Sequence, residues 1–178
     1  MGTYVIFVTD GVEAIPLREM LTWFRRGGSE PTLAGVPGLS QVFVQGEERG
    51  LEVVPLDALG PDDVQGLVLA ESPTIRHEVM RPEIQRCIGQ MEAAGVPLLT
   101  WGGGIIACAF AGWLKQRYVA GPHESIPDLL QAHALVDEDA VVVDWPWVTA
   151  RSALELARAL QTAFSPGGRS QAGVRPQR

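Results

Sequence analysis

The sequence has little of what small proteins use as staples. Its 178 residues include only two cysteines, Cys87 and Cys108, with no Cys-x-x-Cys pair and no Cys/His ligand spacing. That excludes a disulfide framework or a zinc site and leaves both as small side chains buried in apolar helices. No metal and no cofactor is expected, and the few cysteines fit a reducing, cytoplasmic location. Basic residues are also scarce, 14 against 21 acidic, with Lys115 the only lysine, a formal charge of -7 and a pI near 4.9. This balance argues against a nucleic-acid or anionic-membrane partner. No apolar run reaches the roughly 18 residues of a membrane span. The first residues enter a strand-like segment with no basic leader or cleavage site, and position 6 is Ile where a myristoylation signal needs Ser or Thr.

What is present is 46% hydrophobic and 20% charged residues, the balance of a globular domain. A chain of this size buries about 70% of its unfolded surface and needs no staples. One domain is expected over residues 1–164. Residues 165–178 (SPGGRSQAGVRPQR) offer almost nothing apolar to bury and read as a disordered tail. That tail carries three arginines and no acid, so the domain itself is more acidic than the whole chain.

Along the chain, short runs of β-branched and aromatic residues alternate with helical patterns. Residues 3–9 (TYVIFVT), 31–36 (PTLAGV), 66–70 (GLVLA), 96–101 (VPLLTW) and 140–143 (AVVV) read as strands. Their near-continuous hydrophobicity is that of parallel strands buried on both faces. Residues 41–44 and 51–54 bracket a polar hairpin. Helices are expected at 15–24, 82–94 and 105–114, and a last one carries Ala153, Leu156, Ala157, Leu160 and Phe164 at helical spacing. The order predicts an α/β fold, a three-layer sandwich with a mostly parallel central sheet, helices on both faces and flavodoxin-like layering.

In such a sheet, ligands bind beyond the carboxyl ends of the strands, which points to residues 10–13, Glu71-Ser72 and Trp101 to Gly104. Trp101-Gly102-Gly103-Gly104, between a buried strand and a buried helix, has the form of a nucleophile elbow.

The order and wording of these pieces resemble the ThiJ/PfpI superfamily, of class I glutamine amidotransferase-like fold. The segments that carry the likeness are YVIFVTDGVEAIPLREMLTWFRRGG, PTLAGV, RGLEVVPLDAL, GLVLAES, AGVPLLTWGGG and VDEDAVVVDWPWVTARSALELARALQTAF. The resemblance implies a cysteine at the elbow, but aligning the segments puts Trp101 there. It implies a glutamate in the first turn of the first helix, where Pro16 stands, with Glu13 or Glu19 available by a shift. It implies a Gly-Gly oxyanion cradle where Glu71-Ser72 stands, and a histidine to which His123 corresponds approximately. A carboxylate in that cradle opposes a developing negative charge.

Several readings stay open at the level of sequence. Trp101 is either a stacking platform for a flat ligand or a plug. The amides of Gly102 to Gly104 either cradle an anion or serve only a tight turn. Glu13, Glu71 and His123 form an acid/base group or are scattered surface charges. Trp145 and Trp147 are a partner-facing patch or an internal cap. His77 and His133 read as surface residues, and Cys108, about 10 Å along the helix from Trp101, is too far to replace a nucleophile.

The expected function is that of a non-catalytic homologue with a stress-related or regulatory binding role, a possible small-molecule ligand and, by resemblance, a homodimeric state. The alternative is a hydrolase, hydratase or lyase of altered mechanism using Glu71 or Glu13 with His123.

Overall fold

The computed structural model describes residues 2–164, and the expected disordered tail at 165–178 lies outside them. The strands are β1 (Thr3–Phe7), β2 (Thr32–Gly35), β3 (Gln41–Phe43), β4 (Gly50–Glu52), β5 (Val54–Pro55), β6 (Val64–Leu69), β7 (Leu98–Trp101), β8 (Tyr118–Ala120), β9 (Leu135–Asp137), β10 (Val141–Asp144) and β11 (Trp147–Ala150). The helices are α1 (Ala14–Arg26), α2 (Ile75–Glu78), α3 (Pro82–Ala93), α4 (Gly103–Phe110), α5 (Ile126–Gln131) and α6 (Ala153–Phe164).

A seven-stranded sheet runs β10-β11-β7-β6-β1-β2-β5, parallel throughout except for the β10–β11 edge pair. The continuous hydrophobicity of its central strands has a direct cause. Along β1 and its continuation, Val5 and Phe7 enter one core while Ile6 and Val8 enter the other; Leu67 and Leu69 oppose Val68 and Ala70 in the same way. Side chains alternate between faces, so a strand covered on both sides must be apolar at every position. One face is closed by α1 and α6, whose Leu17, Met20, Phe24, Leu156 and Leu160 share a core with the sheet. The other is closed by α2, α3, α4 and α5. The expected three-layer α/β sandwich is therefore what the chain forms.

The hairpin read at 41–54 forms as β3–β4, antiparallel. It is tied to the end of β1, where the Asp10 carboxylate accepts from the Phe43 amide (2.9 Å) and the Gly11 amide donates to the Phe43 carbonyl (2.9 Å). Sequence reading missed β11. Trp-Pro-Trp looks like a loop, yet Trp147 opens a strand that lies between β7 and β10 in the sheet. It also missed the parallel pair β8–β9 and the short helices α2 and α5, each too brief to show a period. Among the described residues, no helix is long and apolar enough to cross a membrane.

Candidate functional site

The turn from β7 into α4 is a sharp strand-to-helix elbow, and its apex is Gly102, at φ 53° and ψ -127°. This corrects the expectation that Trp101 stands there. Trp101 is the last residue of β7, in register with Ala150 of β11, and only 2% of it is exposed. Strand alternation puts it on the same face as Leu99, in the core beneath α1 and α6. It is neither an exposed platform nor a plug at the apex. The triple glycine already held the clue, since a left-handed apex is costly for an indole-bearing residue and free for the first glycine after it.

The space in front of Gly102 is taken by Glu71, two residues beyond the end of β6. Glu71 Oε1 accepts from the Gly103 amide at 2.7 Å. A Cβ placed on Gly102 would lie 2.9 Å from the Glu71 carboxyl carbon, and one on Gly103 2.7 Å from Oε1. The carboxylate thus stands where an elbow side chain would project, at the positive end of the α4 dipole. Burial is the largest influence on it and pushes its pKa above the usual 4.5; the Gly103 hydrogen bond pulls the other way, and the charges of Glu13 and Glu124 raise it further.

Glu13 precedes α1 at its N-cap position, makes no side-chain cap bond and is exposed, and Pro16 sits part-buried in that helix's first turn. Ser72 is buried and holds the fold together. Its hydroxyl bonds that of Thr9 and accepts from the Ile75 amide at 3.0 Å, while Thr74 Oγ1 donates to the Asp10 carbonyl at 2.8 Å. These bonds lash the loop after β6 to the loop after β1. His123 lies exposed at the start of a 3-10 turn, His123–Ser125, whose Ser125 is buried. Among the described residues no hydrogen bond or ion pair joins it to Glu71 or Glu13. Of the two readings left open for Glu13, Glu71 and His123, scattered charges fit this arrangement better than an acid/base group. The neighbouring residue Glu124, with Glu13, is instead near enough for its charge to raise the pKa of Glu71. Sequence reading fixed on the imidazole and passed over that acid. Glu19 points away into a groove between α1 and α6.

The remaining candidates are structural. Cys108 is fully buried in α4 and burial pushes its thiol pKa up strongly, the opposite of what activates a nucleophile. Cys87 is buried as well, and its thiol is raised by the same cause. Trp147 is the internal cap: it is fully buried, it donates Nε1–H to Glu92 Oε1 (2.9 Å), and it stacks on Trp113 at 6.0 Å. The same Glu92 oxygen takes Arg117 at 2.9 Å. Trp145 alone faces outward. His77 and His133 are exposed. Among the described residues no group of three or more His, Cys, Asp or Glu is placed to hold a metal ion.

The state of Glu71 has a consequence for stability. Because its pKa is raised in the folded chain, the fold favours the protonated form; this group's contribution is fully present below about pH 4.5 and is lost as pH rises through the folded pKa. Glu71→Gln keeps an oxygen for the Gly103 amide and removes the charge. It is expected to raise the urea midpoint at pH 7, with the gain over wild type shrinking as pH falls through the raised folded pKa and levelling off below about 4.5. A pH-independent difference would count against the account.

No protein-family model matches the chain, and no curated protein matches it by sequence. Solved structures do. A two-domain protein of Anabaena variabilis ATCC 29413, with DJ-1/ThiJ/PfpI-like and ferritin-like domains, superposes with a TM-score of 0.82 at 14% identity over 99% of this chain. This chain spans 52% of that one, about half its length. DJ-1beta of Drosophila melanogaster matches with a TM-score of 0.78 and 18% identity, over 95% of this chain and 92% of its own. The putative protease I of Bacteroides thetaiotaomicron matches at 0.74 and 16%, over 92% and 98%. With sequence so far diverged and the layers so fully shared, the chain has the fold of the DJ-1/ThiJ/PfpI superfamily.

Proposed function

We propose that this chain is a non-catalytic, cytoplasmic protein of DJ-1/ThiJ/PfpI fold with a stress-related or regulatory binding role, its elbow closed by its own Glu71. The observation that carries the reading is the Glu71 carboxylate seated on the Gly103 amide in front of a glycine apex. An elbow nucleophile needs a reactive side chain at the apex, free amide donors for an oxyanion, and room for a substrate. Gly102 brings no side chain, the Gly103 amide is already engaged, and a carboxylate fills the approach. Cys108, sealed in the core, offers no substitute.

The second reading is a hydrolase, hydratase or lyase with Glu71 as general acid. One observation favours it, a part-buried carboxyl with a raised pKa. The exposed position of His123 and the engagement of Glu71 by the Gly103 amide weigh against it. The two readings separate in a steady-state assay of the full chain on aryl esters, α-oxoaldehydes and nitriles. Wild type and Glu71→Gln are both expected to show no turnover above buffer. Turnover by wild type that Glu71→Gln abolishes would establish the acid/base reading instead.

A further inference from the structure

The β3–β4 hairpin and the elbow are far apart in sequence, yet an unbroken set of contacts joins them. The hairpin is stitched to the loop after β1. Phe43 bonds Asp10 and Gly11, the Gln45 amide donates to the Val12 carbonyl at 3.0 Å, and Val44 bridges Val12. That loop is joined in turn to the loop after β6, which carries Glu71. Thr74 Oγ1 donates to the Asp10 carbonyl at 2.8 Å and stands 3.4 Å from Ser72 Oγ, which bonds the Thr9 hydroxyl. Thr74 occupies the N-cap position of α2 but makes no side-chain cap bond there, so its hydroxyl serves the other loop. Gly11, at φ 82°, lets the two loops pack closely, and a Cβ on it would lie 3.2 Å from Pro73 Cδ.

We propose that the β3–β4 hairpin governs the seat of Glu71 on the elbow through this strap, so that moving the hairpin frees the Gly103 amide. The strap runs from Phe43 through Asp10, Thr74 and Ser72 to the residue beside Ser72, Glu71. Its outer end is open to solvent, with Phe43 49% exposed. Its inner end is a part-buried carboxyl bonded to the Gly103 amide and facing the charges of Glu13 and Glu124. Such a group has two discrete arrangements, on the amide or turned out to water, and an element with two arrangements is what a remote contact can bias. Glu13 ends the strapped loop after β1, so a shift of that loop also moves a charge that acts on Glu71. The proposal rests on the reading of Glu71 as occupant of the elbow and adds what sets it there.

Hydrogen exchange of the Gly103 amide in the full chain, with the Val68 amide of β6 as reference for global opening, tests the strap. Asp10→Ala cuts the bond to the Phe43 amide, and Thr74→Val cuts the bond between the loops; among the described residues neither side chain is bonded to Glu71 or Gly103. Each is expected to speed exchange at Gly103 about tenfold or more relative to Val68. Removing the Asp10 charge would by itself favour a seated carboxylate and slow exchange, so the direction separates the strap from a charge effect. Thr74→Ser keeps the hydroxyl and is expected to stay within about twofold of wild type. If Glu71→Ala speeds exchange at Gly103 while Asp10→Ala and Thr74→Val leave it unchanged, the strap is overturned and the seat stands. If Glu71→Ala itself has no effect, the reading of the elbow fails and the strap with it.

Discussion

Trp101→Ala is expected to lower the unfolding free energy by about 3–5 kcal/mol, the range for truncating a fully enclosed aromatic side chain. The indole is 2% exposed and shares its core with Ile6, Val68, Leu99 and Leu156, so its removal leaves a void between the sheet and the α1–α6 layer. Neighbours on three strands and a helix cannot all close in. For a chain of this length the loss corresponds to a fall in Tm of about 10 °C, readable by calorimetry or by urea denaturation. The position assigned to the side chain is what the experiment decides. A tryptophan lining the mouth of a ligand pocket would cost under about 1 kcal/mol to remove. A loss that small would place the indole outside the core.

The same residue shows how far the sequence could be read. The strands of the central sheet were legible because burial on both faces leaves a plain hydrophobic run, and TYVIFVT and GLVLA carry that mark without ambiguity. The helices α1, α3 and α6 were legible from their spacing. The elbow was legible as a strand, a glycine turn and a helix, but its apex was read one residue early. Family alignment gave Trp101, whereas backbone sterics give Gly102, the residue that occupies φ 53° without strain. Glu71 was flagged as hostile to an oxyanion. Its role as occupant of the elbow was not legible, because it depends on a contact between residues 32 positions apart. His123 was drawn in by resemblance and stands exposed at the start of a turn. β11 was hidden because it is only four residues long, too short to show a period, and Trp147 at its start packs against Trp113 and Glu92 through the fold.

Gly102→Ala is the second large effect. An L-residue at φ 53° and ψ -127° costs about 1–3 kcal/mol in backbone strain alone. The new Cβ also meets the Glu71 carboxyl group, which must swing aside and give up its bond to the Gly103 amide. A hydrogen bond to a charged group contributes about 1.5–3 kcal/mol, part of which returns as the freed carboxylate rehydrates. The expected total is about 2–5 kcal/mol. Chemical denaturation at pH 7 measures it, and the loss is expected to exceed that of alanine at Gly38, whose φ is also positive but which has no atom within 4 Å of a Cβ position.

The central claim is that Glu71 holds the place of an elbow side chain, and it is tested most directly by a double-mutant cycle between positions 71 and 102. In Glu71→Ala the obstruction is gone and only backbone strain remains. Gly102→Ala is therefore expected to cost about 1–2 kcal/mol less in that background than in wild type. Costs that add, with coupling below about 0.5 kcal/mol, would show that the carboxylate does not occupy the elbow and would contradict the account.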